Sequence, residues 1–313
     1  MGTTPSRCSP KAHPDEAFAT GSPGLSAERP SGRRADSIRG IMESPQPAVI
    51  RTARHLWLKG WAERNAGNLS VRLRPGELPE DSRRHDPWRP LETATPELGG
   101  ERLLFTDTGS HMRLLELDPP QCTSVIELDG SGERFRVVRG GEGRGPTSEI
   151  MPHLRAHSAR KRASGDQDRA VIHTHPPHLI ALTYALALDT ASLTRLLWQM
   201  HTECIVVFPM GCGFVEWLLP GSQELARATE EIMERRSLVL WQYHGIVAAG
   251  PDLDAAFGLI ETAEKAAEIY LMAAALGPVQ RRLDDQQLVA LARRFGVEPD
   301  PEILAGGGSQ PPA

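Results

Sequence analysis

The chain is poor in cysteine, and it has no long apolar run and no strong charge bias. Its 313 residues hold four cysteines, Cys8, Cys122, Cys204 and Cys212, none of them in a CxxC pair. That argues against a disulfide scaffold or a thiolate zinc ribbon and suits a reduced, cytoplasmic protein. No apolar run approaches the ~20 residues that a membrane-spanning helix needs. The opening MGTTPSRCSPKAHPDEAFATGSPG lacks the apolar core of a secretory signal. Gly2 and Ser6 fit an N-myristoylation pattern that short sequences match by chance. A net charge of -5 makes no case for nucleic acid or an anionic membrane as partner.

What is present divides into three parts. Residues 1–45 are rich in Pro, Ser, Gly, Arg and Ala without a hydrophobic period, so a disordered extension is expected; Met42 offers an alternative start. Residues 46–304 alternate helix and strand signals, and 305–313 read as a flexible tail. In the body, PAVIRTARHLWLKGWAERNAG has helical spacing, and NLSVRL, RLLFT, CTSVIEL and RFRVV read as strands. A polar, Pro-rich loop or insertion fills 74–100. SEIMPHLRAHSARKR reads as a helix, AVIHTH as a strand, and PPHLIALTYALA as a helix opening on proline. ECIVVF and SLVLWQYHG read as strands flanking the amphipathic helix SQELARATEEIMERR, with Ser222 as its N-cap. Two helices follow, the last closed by Gly296. The pattern predicts an α/β fold with helices over a central sheet.

Histidine carries the chemistry. His173 and His175 lie two apart on a predicted strand, so their imidazoles share one face. A third imidazole would complete an open metal site, and His244 in LWQYHG is at a strand end. Without such partners an HxH pair is as well explained by chance. His178 follows two prolines and suits a second-layer donor or a solvated side chain, while His153, His157 and His201 default to helix surfaces. Three polar turns remain open between two readings. Thr147, Ser148 and Glu149 either cap a helix or cradle an anion at its N-terminus. Asn65, Gly67 and Asn68 either end a helix or bind phosphate and hydroxyls. Thr106 begins TDTG, a turn with free donors in which Asp107 would repel an anion.

Taken in order, ERNAGNLSVRL, TDTG, PTSE, VIHTHPPHLIALTY, TECIVVFP, SLVLWQYHG and GPDLDAAFGLIETAEKAA resemble the class II aldolase/adducin superfamily over roughly 46–300. The resemblance implies a class II aldolase-like sandwich, a central mixed sheet flanked by helices, assembled as a homotetramer. It implies one Zn2+ per subunit on His173, His175 and His244, and a lyase that cleaves a ketose 1-phosphate between C3 and C4 through a metal-stabilised enediolate. Glu149 would shuttle the proton, and Glu203 would be a second acid from a neighbouring subunit. Asn65, Gly67, Asn68, Thr106, Thr147 and Ser148 would surround the phosphate and the dihydroxyacetone oxygens. The family's SGTG turn appears here as TDTG, with Asp107 where glycine is expected. Alternatives are another superfamily reaction on a sugar phosphate, an epimerase or dehydratase, or a non-catalytic adducin-like binding module.

Overall fold

A computed structural model describes residues 45–77, 86–141 and 144–305. The readings made for 1–44, for 78–85 within the Pro-rich stretch, and for 306–313 lie outside the described residues. The helices are α1 Pro45–Leu58, α2 Pro119–Cys122, α3 Ile150–Ala163, α4 Pro177–Ala185, α5 Thr190–Met200, α6 Thr202–Val207, α7 Gln223–Met233, α8 Leu253–Ala275, α9 Asp285–Phe295 and α10 Pro301–Ala305. The strands are β1 Asn68–Arg72, β2 Arg89–Pro90, β3 Arg102–Thr106, β4 Thr123–Leu128, β5 Arg134–Gly140, β6 Ala170–Thr174, β7 Gly213–Val215, β8 Leu238–Trp241 and β9 Gly245–Gly250. They form one sheet in the order β2-β5-β4-β3-β1-β6-β9-β8-β7. Among the described residues only β7 and β8 pair in parallel, so the sheet is mixed and helices flank it, as expected.

Strand alternation sorts side chains between the two faces. On one, Leu69, Val71, Ile172, Ile246 and Ala248 pack into a core with α1, α4, α5, α6, α8 and α9. On the other, Val171, Val239, Trp241, Val247, Leu103 and Phe105 meet α3 and α7. That second face has polar gaps. Asn68 pairs with His173 and Ser70 with Val171 across β1 and β6, which places Asn68, Ser70 and His173 together under α3.

Three expectations about elements are corrected. The first helix, read through Gly67, ends at Leu58, so Gly67 does not close it. ECIVVF is not a strand: Thr202–Val207 is helix α6, with the His201 side chain accepting from Glu203 N at its start. Local β-branched preference loses there to a cap and to burial of Cys204 and Ile205 against the helical core. The Pro-rich stretch is also partly folded, containing β2, a 3-10 turn at Pro96–Leu98, and a fully buried Leu98. The Ser222 cap of α7 and the left-handed Gly296 closing α9 are as expected.

Candidate metal and acid–base site

His173 projects from β6 toward α3 and is 1% exposed. His175 follows the strand end, its N–H donating to Trp61 O at 2.9 Å. His244 ends the turn between β8 and β9, where Tyr243 holds a positive φ of 62°. The ligand atoms of His173, His175 and His244 lie within 4.8 Å of one another. Trp241 flanks two of the rings, with centroids 4.7 Å from His173 and 5.1 Å from His244, and its Nε1 donates to Thr229 Oγ1 at 2.9 Å.

The donor set fits a divalent ion. His173 Nδ1 lies 3.1 Å from Ile246 O, and His175 Nδ1 lies 3.0 Å from a Glu63 carboxylate oxygen. Each acceptor calls for an N–H on Nδ1, which in the neutral ring leaves a lone pair on Nε2. Those two Nε2 atoms face each other at 3.2 Å. Two lone pairs at that distance repel, so the contact needs a shared proton or a metal ion between the nitrogens. Zinc–nitrogen bonds of ~2.0–2.1 Å in a tetrahedron set ligand nitrogens about 3.3 Å apart. Burial holds His173 well below the usual histidine range, and burial with the nearby His175 lowers His244 to about 4. Both are therefore neutral at pH 7, the form that binds metal.

Glu149 completes the cluster. It is the N-cap residue of α3, yet its carboxylate turns away from its own helix. Oε2 is 3.4 Å from His173 Nε2, and Oε1 is 3.8 Å from His244 Nε2. Asn68 Nδ2 donates to Oε2 at 2.7 Å. Burial raises the carboxyl's pKa, and the Asn68 bond opposes that rise.

The three polar turns converge beside this cluster. Thr106 Oγ1 accepts from Leu69 N at 3.0 Å, and Thr106 O accepts from Thr147 N at 3.1 Å. Thr147 Oγ1 accepts from Glu149 N at 3.3 Å. Asn65 and Ser148 are exposed. Gly67, with φ 76°, backs onto His173, where a Cβ would come 3.0 Å from its carbonyl oxygen. Asp107 is 4% exposed, and neither carboxylate oxygen has a hydrogen-bond partner among the described residues. Glu203 is exposed on the first turn of α6, outside the cluster's ion pairs.

Other histidines correct the expectation. His153 and His157 are not surface residues: each is 1% exposed beneath α3. His178 is held by Glu264, a buried carboxylate that accepts from His178 Nδ1 at 2.7 Å and from Leu179 N at 2.9 Å. Glu63, Ser70, Trp241 and Gly245 also shape the site, though sequence reasoning gave them no role. Ser70 alone carried a signal, being two residues past Asn68 on the same strand face.

The class II aldolase and adducin N-terminal domain model matches residues 47–271, and the chain belongs to that family. Within it, the chain is 42% identical over 258 residues to the rhamnulose-1-phosphate aldolase of Pectobacterium atrosepticum, covering 80% of this chain and 93% of that protein. It is 40% identical over 261 residues to the rhamnulose-1-phosphate aldolase of Escherichia coli O157:H7, covering 82% and 95%. The crystal structure of a sugar-phosphate aldolase from Thermotoga maritima superposes with a TM-score of 0.64 at 33% identity, covering 79% of this chain and 98% of that one. The L-fuculose-1-phosphate aldolase of Thermus thermophilus shares the fold, with a TM-score of 0.51 at 21% identity over 77% of this chain and 99% of that one.

Proposed function

We propose that this chain is a zinc-dependent aldehyde-lyase of rhamnose metabolism that reversibly cleaves rhamnulose 1-phosphate to dihydroxyacetone phosphate and lactaldehyde. The observation that carries the reading is a buried carboxylate, Glu149, set 3.4 Å from one of three clustered imidazoles. The names of the similar proteins supply the substrate. His173, His175 and His244 would hold the ion, which when bound supplies positive charge to stabilise negative charge developing on the substrate's oxygens.

The chain's own groups do the rest. Glu149 removes or returns the proton at the hydroxymethyl carbon of dihydroxyacetone phosphate. Its burial makes it a stronger base than an exposed carboxylate, and the Asn68 bond keeps enough of it ionised. Asn65, Gly67, Thr106, Thr147 and Ser148 gather around the phosphate and the dihydroxyacetone oxygens. Asn68 has less freedom for that task, because both polar atoms of its amide are already bonded. Glu203 enters from a neighbouring subunit of a homotetramer to deliver a proton to the aldehyde oxygen. The catalytic domain is 46–304, and the enzyme works in the cytoplasm.

Purified protein with zinc should release dihydroxyacetone phosphate from rhamnulose 1-phosphate. Glu149→Gln should keep zinc and fold but lose about 100-fold or more in kcat, because an amide cannot take the proton. An unchanged rate in that variant removes Glu149 from the mechanism. Absence of zinc by elemental analysis, with no turnover, would favour the binding-module alternative.

A further inference from the structure

Beneath α3, four hydrogen bonds join five side chains. His157 Nε2 lies 2.8 Å from Ser70 Oγ, and Ser70 Oγ lies 2.6 Å from His153 Nδ1. His153 Nε2 bonds Asn68 Oδ1, and Asn68 Nδ2 bonds Glu149 Oε2 at 2.7 Å. No member is more than 9% exposed.

Proton positions follow by elimination from the Glu149 end. An ionised carboxylate only accepts, so Asn68 gives it the NH2 group and turns its carbonyl oxygen to His153. That oxygen also only accepts, so His153 carries its hydrogen on Nε2. Burial keeps His153 neutral, with a pKa of about 3, so Nδ1 is a bare lone pair. The Ser70 hydroxyl must then donate to Nδ1, and its oxygen accepts from His157 Nε2–H. Every donor points the same way, toward Glu149.

We propose that His157, Ser70 and His153 form a one-way hydrogen-bond chain that locks the amide of Asn68 and thereby holds Oε2 of Glu149, leaving Oε1 as the oxygen free to exchange the substrate's proton. The three are positioning residues, and the inference rests on the reading of Glu149 as the base. It also gives two buried histidines a role that metal binding does not.

Ser70→Ala cuts the chain two side chains away from Glu149. Exchange of the hydroxymethyl proton of dihydroxyacetone phosphate in deuterated water isolates the base's step from carbon–carbon bond cleavage. We expect the maximal exchange rate per bound zinc to fall about 10-fold in Ser70→Ala. KM and zinc stoichiometry should stay within twofold, and Ser70→Thr should restore most of the rate. Wild-type exchange in Ser70→Ala, or an equal loss in Ser70→Thr, overturns the proposal. Histidine-selective 15N NMR of the metal-free wild type tests it independently of activity: His153 and His157 should both be neutral Nε2–H tautomers at pH 7. A protonated ring or an Nδ1–H tautomer at either position also overturns it. If the wild type neither exchanges nor cleaves, the proposed function fails, while the NMR result still decides the chain.

Discussion

Gly245 follows the third imidazole, and its missing side chain is what lets the rings meet. A Cβ there would lie 2.5 Å from Thr174 O, 2.8 Å from His175 Cδ2 and 3.0 Å from His173 Cε1. The backbone oxygen cannot yield cheaply, so the histidines would have to. Gly245→Ala is expected to cost about 1–3 kcal/mol of stability and to weaken zinc binding about 10-fold or more. Thermal melts and zinc titration calorimetry check the two effects. Asp107 presents a different residue-scale problem, a buried carboxylate for which Ser124 and Arg144 only partly offset the effect of burial. Burial pushes its pKa up to about 6. The folded chain therefore binds that proton more tightly than the unfolded chain does. The stability it contributes is full below about pH 4 and lost as pH rises through about 6. Asp107→Asn should be more stable than wild type at pH 8, by on the order of 3 kcal/mol, and no more stable at pH 4. Denaturant titrations at the two pH values measure this.

Among the elements, α3 joins the active face to the buried histidines, and its stability should depend on acid. His153 and His157 are both held below the ordinary histidine range by burial. The unfolded chain binds their protons more readily, so their contribution is full above about pH 6.5 and falls as pH drops through that value. Each should cost about 1.4 kcal/mol per pH unit between about pH 6 and 4. Unfolding free energies measured across that range should show the slope, and His157→Gln should flatten it. The same helix shows where the sequence stopped being readable. HTH was legible because a strand's period of two puts both imidazoles on one face whatever surrounds them. His153 and His157 lie four apart, which defines a helix face but not what it meets. Their partners Asn68 and Ser70 are on β1, and nothing in α3's own sequence says that a polar strand face lies beneath it. β1 was legible by its alternation, and β3 and β6 as short apolar runs of strand length. α6 was not, because its β-branched run reads as a strand until the His201 cap and the surrounding helices are known.

At the scale of the whole molecule, the site draws on β1, β6, α3 and the β8–β9 turn, so metal and fold should be coupled. An ion that binds the folded chain and not the unfolded one stabilises it by RT ln(1 + [L]/Kd), about 4 kcal/mol at a thousandfold excess over Kd. Stripping metal with a chelator should lower Tm by several degrees, and adding zinc back should restore it. Calorimetry in both states tests this, and an unchanged Tm would mean that the cluster does not hold zinc. The family, its fold and the three imidazoles were legible across 46–300. The positions of Glu63 and Trp241 around them were not, since each depends on which distant segments become neighbours.

That dependence has a consequence for the order of assembly. His173 reaches its β9 partner Ile246 across 73 residues, and Asn68 reaches Glu149 across 81. No two adjacent segments of the chain can make this site, and closing such long loops precedes any gain from their contacts. During folding, the metal pocket and the placed carboxylate should therefore appear together and late, once β9 has docked on β6 and α3 has closed over β1. A chain emerging from synthesis would hold at most the HTH pair, too few ligands to retain an ion.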